Sequence, residues 1–140
     1  MLKFNQRHNI NTDLIRRIIN VIETNRLILK PLTYQQMLQY IKNDNSLEAE
    51  LELNNASMVL SPPLIEALEQ AILPSLLDEN INHLFSTLWT VIDKNENRSV
   101  ADVCFQGEPN EQGEIEIGYG TYDQNQGKGY MTEAVQGMIN

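Results

Sequence analysis

Apolar positions along the chain recur every three to four residues as far as about Leu77, and every second residue from Thr87 onward. In the first regime, Leu14, Ile15, Ile18, Ile19 and Ile22 share one helical face, so Asn11–Ile22 is predicted to be an amphipathic helix capped by Thr12 or Asp13. Arg26–Lys30 alternates like a strand, and Pro31, which has no N–H to donate, is expected to end its ladder. Thr33 and Gln36 have capping-box spacing, and Tyr34, Met37, Leu38 and Ile41 continue from them at i, i+3, i+4 and i+7. The polar, acidic stretch Asp44–Asn55 reads as a loop or an exposed helical turn. Ser61 then caps another helix, with Pro62 and Pro63 in the first turn, where no intrahelical bond is lost. Its stripe is Leu64, Ile65, Leu68 and Ile72; Pro74 is expected to end or kink it, with Leu76 and Leu77 in a second short segment.

In the second regime, Thr87–Ile92 is a strand rich in β-branched and aromatic residues, Asp93–Arg98 a polar turn and Val100–Phe105 the returning strand. Gly107–Gly113 is the next turn. In Glu114–Tyr119 the alternation puts Ile115, Ile117 and Tyr119 on one face and Glu114, Glu116 and Gly118 on the other. These strands read as an antiparallel meander. The chain closes with a glycine-bearing turn and a helix whose apolar positions are Tyr130, Met131, Ala134, Val135 and Met138. The order predicts a mixed α/β (α+β) fold: a central, mostly antiparallel sheet flanked by helices.

Composition narrows the functional classes. A chain of 140 residues, 41% of them hydrophobic, is sized for one core. A formal charge of -9, with no basic run denser than Arg16-Arg17, argues against nucleic acid and anionic membrane as partners and favours a cationic one. The start has no apolar stretch of signal-peptide length and no segment reaches membrane-span length, so a cytoplasmic location is expected. Cys104, the single cysteine, falls in an apolar alternating run and reads as a core thiol. His8 and His83 stand apart from any other ligand type, and no metal is expected.

The segment with chemistry is Glu114–Ala134. Glycines remove the Cβ that would hold a phosphate away, and the first N–H groups of the following helix are unpaired at the positive end of its dipole. Spacing decides which phosphate. A Walker loop, G-x-x-x-x-G-K-S/T, fails because Gly127-Lys128 is followed by Gly129 and Tyr122 stands where the first glycine should be. A dinucleotide fingerprint starting at Gly118 and Gly120 fails because Asp123 occupies the third glycine position.

Gln124, Gly127 and Gly129 satisfy Q/R-x-x-G-x-G/A, Glu116-Ile-Gly-Tyr119 precedes them, and Gln126-Gly-Lys-Gly-Tyr-Met-Thr-Glu-Ala134 is similar to a QGKGYATEA run. Upstream, Glu23-Thr-Asn-Arg-Leu-Ile-Leu29 is similar to an ETxRLxLR first strand. Together these resemble the GNAT superfamily of N-acetyltransferases, in its ribosomal-protein-acetylating branch, over roughly Glu23 to Asn140. The organisation expected is an N-terminal extension, 1–22, before a partial domain, 23–140.

The resemblance implies an enzyme that transfers acetyl from acetyl-coenzyme A (acetyl-CoA) to a primary amine, either a protein N-terminus or a small amine. It implies that Gln124, Asn125, Gln126, Gly127, Lys128, Gly129 and Tyr130 supply the pyrophosphate donors, and that Gly120, Thr121 and Tyr122 pair with the pantetheine arm. It makes Glu116 the candidate base, with Glu114 on the same face as a substitute. Tyr119 and Tyr122 are candidate hydrogen-bond donors, with packing the expected role of Tyr119, and Glu133 is expected on the helix exterior. Family members continue beyond this helix into a fifth strand, another helix and a hairpin, whereas the sequence here stops at Asn140. The general acid therefore has no assigned residue, and the open sheet edge predicts a homo-oligomer. The rival reading is a truncated, non-catalytic coenzyme-binding or interaction module.

Overall fold

A computed structural model describes residues 2–3, 21–55, 60–105, 107–121 and 126–139. Of the N-terminal helix expected over Asn11–Ile22, residues 11–20 lie outside that description. Ile22 itself is in a strand, not a helix: β2 (Ile22–Glu23) pairs antiparallel with β3 (Leu27–Pro31), Ile22 opposite Leu29. A partner seven residues away outweighs local helical periodicity for a β-branched residue. β1 (Leu2–Lys3) pairs with β6 (Glu114–Ile115) in a separate two-stranded sheet.

The main sheet is an antiparallel meander, β2-β3-β4-β5-β7, with β4 at Leu88–Asp93, β5 at Arg98–Phe105 and β7 at Ile117–Thr121. Pro31 pairs with Trp89 as the last residue of β3, and the ladder carries on for one bond, from the Leu32 N–H to the Leu88 carbonyl at 3.0 Å. The missing proline donor thus costs the strand nothing before its end. Every residue of β4 is buried, as its place at the centre of the five strands requires.

Helices cover both faces. α1 (Tyr34–Lys42) starts at the expected capping box: Thr33 Oγ1 accepts from the Gln36 N–H at 3.1 Å, and Gln36 Oε1 accepts from the Thr33 N–H at 3.0 Å. The acidic stretch after it forms α2 (Ser46–Glu50), pinned by buried Leu47. α3 (Pro62–Leu76) is capped by Ser61 as expected but runs through Pro74 and stops only at Leu76. Pro74 lies in the last turn, where only two helical residues follow it, and the Ser75 hydroxyl donates to the Ala71 carbonyl at 2.9 Å. The stripe of α3 is buried at Leu68 and partly at Ile72, while Leu64, 37% exposed, belongs to a first turn that lies off the core. A short 3-10 turn, His83–Phe85, precedes β4, and α4 (Tyr130–Ile139) closes the chain.

Leu88 and Trp89 are consecutive in β4, so they face opposite sides of the sheet, and each belongs to a different core. Leu27, Leu29, Trp89, Val91 and Val103 pack with Tyr130, Ala134 and Met138 of α4. Leu88 and Leu32 pack with Met37 of α1, Leu47 of α2 and Leu68 of α3. At about 1.5–3 kcal/mol for each fully buried Leu, Val or Met, the α4 core is the main force that brings the end of the chain onto its first strands.

Candidate functional site

The glycine pair sits in the turn just before α4. Gly127 and Gly129 have φ of +80° and +77°, a left-handed backbone that costs any residue with a Cβ, and they flank Lys128 in an exposed turn over Gln126–Gly129. A Cβ at Gly127 would meet nothing within 4 Å, so packing imposes nothing there. What the glycine supplies is backbone direction in open space. The turn opens a ten-residue helix, whose first N–H groups have no partner within the helix, and such a start is a cradle for an anion. β7 ends at Thr121 and is the edge of the described sheet, bonded to β5 on one side only.

A second group of residues, scattered in sequence, holds this turn. Glu133, one helical turn into α4, accepts from the Arg26 backbone N–H at 2.7 Å, from Arg26 Nε at 2.7 Å and from the Thr24 hydroxyl at 2.5 Å. Arg26 Nη1 donates to the Lys128 carbonyl between the two glycines at 3.0 Å, and the guanidinium carbon lies 4.9 Å from the centre of the Tyr130 ring. The Tyr130 ring is buried, and its hydroxyl donates to Asp93 Oδ2 at 2.5 Å at the end of β4. Asp93 also accepts from the Asn95 and Glu96 N–H groups of the following turn.

The electrostatics agree with these bonds. Burial pushes the Glu133 carboxyl up, but the bonds from Thr24 and Arg26 outweigh it and hold the group below the usual carboxylate range. Asp93 is likewise raised by burial and lowered further by Tyr130 and the two backbone N–H groups, for a net depression. The hydrogen bond to Asp93, helped by burial, pushes the Tyr130 hydroxyl up to about 12. Near neutral pH, both carboxylates are therefore charged and the phenol is protonated.

The residues expected to carry chemistry are distributed as follows. Gln126, Gly127, Lys128 and Gly129 form the exposed turn, and Tyr130 begins α4, its backbone at the cradle and its ring in the core. Gly120 and Thr121 are on β7, opposite Asp102 and Ala101 of β5. Tyr122, Gln124 and Asn125 lie outside the described residues, as do the side chains of Tyr119 and Thr121. Glu116 is not within a continuous strand: it falls at the break where the chain leaves β1 as partner and takes up β5, and it is exposed. Glu114 is on the other side of that break, its carboxylate 3.4 Å from Asn110 Nδ2. Glu133 is the clearest correction, being built into the Thr24–Arg26 contact instead of the helix exterior. Burial pushes the Cys104 thiol up, which keeps it protonated and unreactive beside the second core.

Thr24, Arg26 and Asp93 were not expected at the site. The signal was present for two of them, because Thr24 and Arg26 fall inside the Glu23–Leu29 string, about a hundred residues from the loop it serves. Among the described residues, no group of His, Cys, Asp and Glu could hold a metal ion, and no helix is long and apolar enough to cross a membrane.

A mixed sheet-and-helix fold that delivers an edge strand into a glycine turn opening a helix defines a class. The chain belongs to the acetyltransferase (GNAT) domain family, the class of acetyl-CoA-dependent N-acetyltransferases, whose model matches residues 26–140. It is 29% identical over 120 residues to the uncharacterized N-acetyltransferase YjdG of Bacillus subtilis strain 168, covering 86% of this chain and 70% of that one. Among solved structures, a protein assigned to the GnaT-family acetyltransferases of Bordetella pertussis superposes with a TM-score of 0.51 at 16% identity, over 85% of this chain and 70% of that chain. RimL, a ribosomal L7/L12 α-N-protein acetyltransferase in complex with coenzyme A, does so with a TM-score of 0.51 at 16% identity, over 85% of this chain and 65% of RimL. The chain thus spans 65–70% of the length of these relatives, and at such identities the structural likeness shows the fold alone.

Proposed function

We propose that this chain transfers acetyl from acetyl-CoA to a primary amine, a protein N-terminus or a small amine. The observation that carries the reading is the pair of left-handed glycines just before α4, Gly127 over open space and Gly129 against the Arg26 guanidinium. The backbone N–H groups of Gln126–Tyr130, with Gln124 and Asn125 by family resemblance, would take the pyrophosphate. β7 has backbone donors and acceptors on the side away from β5, so Gly120, Thr121 and Tyr122 would pair with the amides of the pantetheine arm as a further strand does. A coenzyme A complex of RimL, which shares the fold, is in keeping with that arrangement.

In the reaction, the amine nitrogen forms a C–N bond to the thioester carbonyl carbon, the C–S bond breaks, and the sulfur leaves as thiolate while nitrogen gives up a proton. Positioning supplies much of the rate, but an alkylamine with a pKa of about 10.4 is mostly protonated at neutral pH and needs a base. Glu116, exposed beside β7, is the proposed acceptor of that proton. The overall charge of -9 favours approach of a cationic amine.

The test is thiol release from acetyl-CoA with and without a panel of primary amines, run on the wild-type chain and on Glu116→Gln. Amine-dependent release, reduced in the variant about 100-fold, is expected. Saturable coenzyme binding without amine-dependent release would replace the enzyme by a coenzyme-binding module.

A further inference from the structure

We infer that Arg26, held by Glu133, is a positioning residue that fixes the direction of the peptide groups in the glycine turn, and that Thr24, Tyr130 and Asp93 hold it in place. The ligand concerned is the pyrophosphate of acetyl-CoA, so the inference rests on the coenzyme reading above.

A turn can present its N–H groups outward only if its carbonyl groups are held inward. Lys128 lies between two left-handed glycines, so the peptide groups on either side of it have few steric limits. Its carbonyl is the one that Arg26 Nη1 takes, at 3.0 Å. The guanidinium cannot drift from that position, because Nε is bonded to Glu133 at 2.7 Å and the Tyr130 ring lies against its flat side at 4.9 Å. Glu133 is in turn fixed by the Thr24 hydroxyl and the Arg26 N–H, and Tyr130 by Asp93. The chain of contacts therefore runs from β2–β3 and β4 to one carbonyl in the turn.

Magnitudes argue that stability is not its main product. The side chains of Arg26 and Glu133 are 41% and 21% exposed, and an ion pair open to solvent to that extent adds little to folding. The α4 core already anchors the helix. What the core does not supply is any contact to the Lys128 carbonyl.

The test uses the ligand-free full chain. Hydrogen exchange of the 126–131 segment is measured in wild type, Arg26→Lys, Glu133→Gln and Glu23→Ala, followed by calorimetric titration of acetyl-CoA into each. Lysine keeps the charge at position 26 but has no planar fork that can serve Glu133 and Lys128 together. Arg26→Lys and Glu133→Gln are both expected to speed exchange of the segment and weaken acetyl-CoA, each by about ten-fold. Glu23→Ala breaks a comparable exposed pair, Glu23 with Lys94 at 2.7 Å, and leaves the Lys94 bond to the Thr24 carbonyl in place, so it should change neither. If exchange in Arg26→Lys stays within about two-fold of wild type, or Glu23→Ala speeds it equally, the positioning role is overturned. If exchange depends on Arg26 but wild type does not bind acetyl-CoA, the positioning role stands and the coenzyme reading falls.

Discussion

Replacing Gly137 by alanine probes the contact between α4 and the first hairpin at a single methyl group. A Cβ built on Gly137 comes within 2.6 Å of Thr24 Cγ2, while Ile22 Cγ2 and Leu29 Cδ1, at 3.6 Å, are ordinary neighbours. Carbon atoms prefer about 3.5–4.0 Å, so Thr24 has to retreat by roughly 1 Å. It has no free rotation for doing so. Its Oγ1 donates to Glu133 at 2.5 Å and accepts from the Leu27 N–H at 3.1 Å, and turning χ1 to move Cγ2 breaks both bonds. Overpacking costs about 1–3 kcal/mol, and a 2.6 Å approach to a side chain held by two bonds belongs at the upper end, about 2–3 kcal/mol; alanine returns about 1 kcal/mol of helix propensity, so the expected result is a net loss of about 1–2 kcal/mol. Urea unfolding of four chains checks it: wild type, Gly137→Ala, Thr24→Ser and the double variant. Serine keeps the hydroxyl and removes the methyl, so alanine at position 137 should be neutral or stabilising in that background. A Gly137→Ala chain as stable as wild type, or a loss that Thr24→Ser does not relieve, would refute the geometry at this contact.

The pH dependence of folding follows from the same cluster. Glu133 and Asp93 are depressed below the usual carboxylate range, so their contributions are complete above about pH 4–5 and disappear as the pH falls through their lowered values. Glu133→Gln should therefore flatten the acid limb of a stability–pH profile, and an unchanged limb would count against the assignment. Tyr130 is raised to about 12, so its contribution is complete below the unfolded phenol value of about 10 and is lost as the pH rises through about 12. Tyr130→Phe should remove that alkaline dependence. On the opposite face, Leu68→Ala should cost about 2–3 kcal/mol and Leu64→Ala less than about 0.5 kcal/mol by thermal unfolding, because only Leu68 is buried.

What could be read from sequence was local. Capping of α1 by Thr33 and Gln36, capping of α3 by Ser61 and the return of β4 into β5 each depend on residues a few positions apart, and all three form as the spacing predicts. The misses have partners far along the chain. Ile22 looks helical among its neighbours and becomes a strand because Leu29 is there to pair with it. Glu133 looks like a solvated helix position, since its bonding partners, Thr24 and Arg26, are 109 and 107 residues away. Glu116 continues an alternating pattern in sequence, but the chain changes pairing partner at that residue. Pro74 shows the reverse: a strong local breaker is tolerated in a last turn, with only two helical residues after it. The two strings that pointed to the family, around Arg26 and around Gly127, were legible as separate motifs. Their meeting at the Lys128 carbonyl was not, because it depends on α4 docking on β2 and β3.

The central claim is that the glycine turn binds acetyl-CoA, and calorimetric titration of acetyl-CoA into the full chain, alongside Gly127→Glu, tests it most directly. Glutamate at 127 points a negative side chain into the open space above the turn, where the pyrophosphate would lie, and its left-handed backbone strain stays local at about 1–2 kcal/mol. The expected result is saturable binding by the wild-type chain that is lost in a variant with an unchanged circular dichroism spectrum. A folded wild-type chain that takes up no acetyl-CoA, or a Gly127→Glu chain that binds it equally well, would contradict the account.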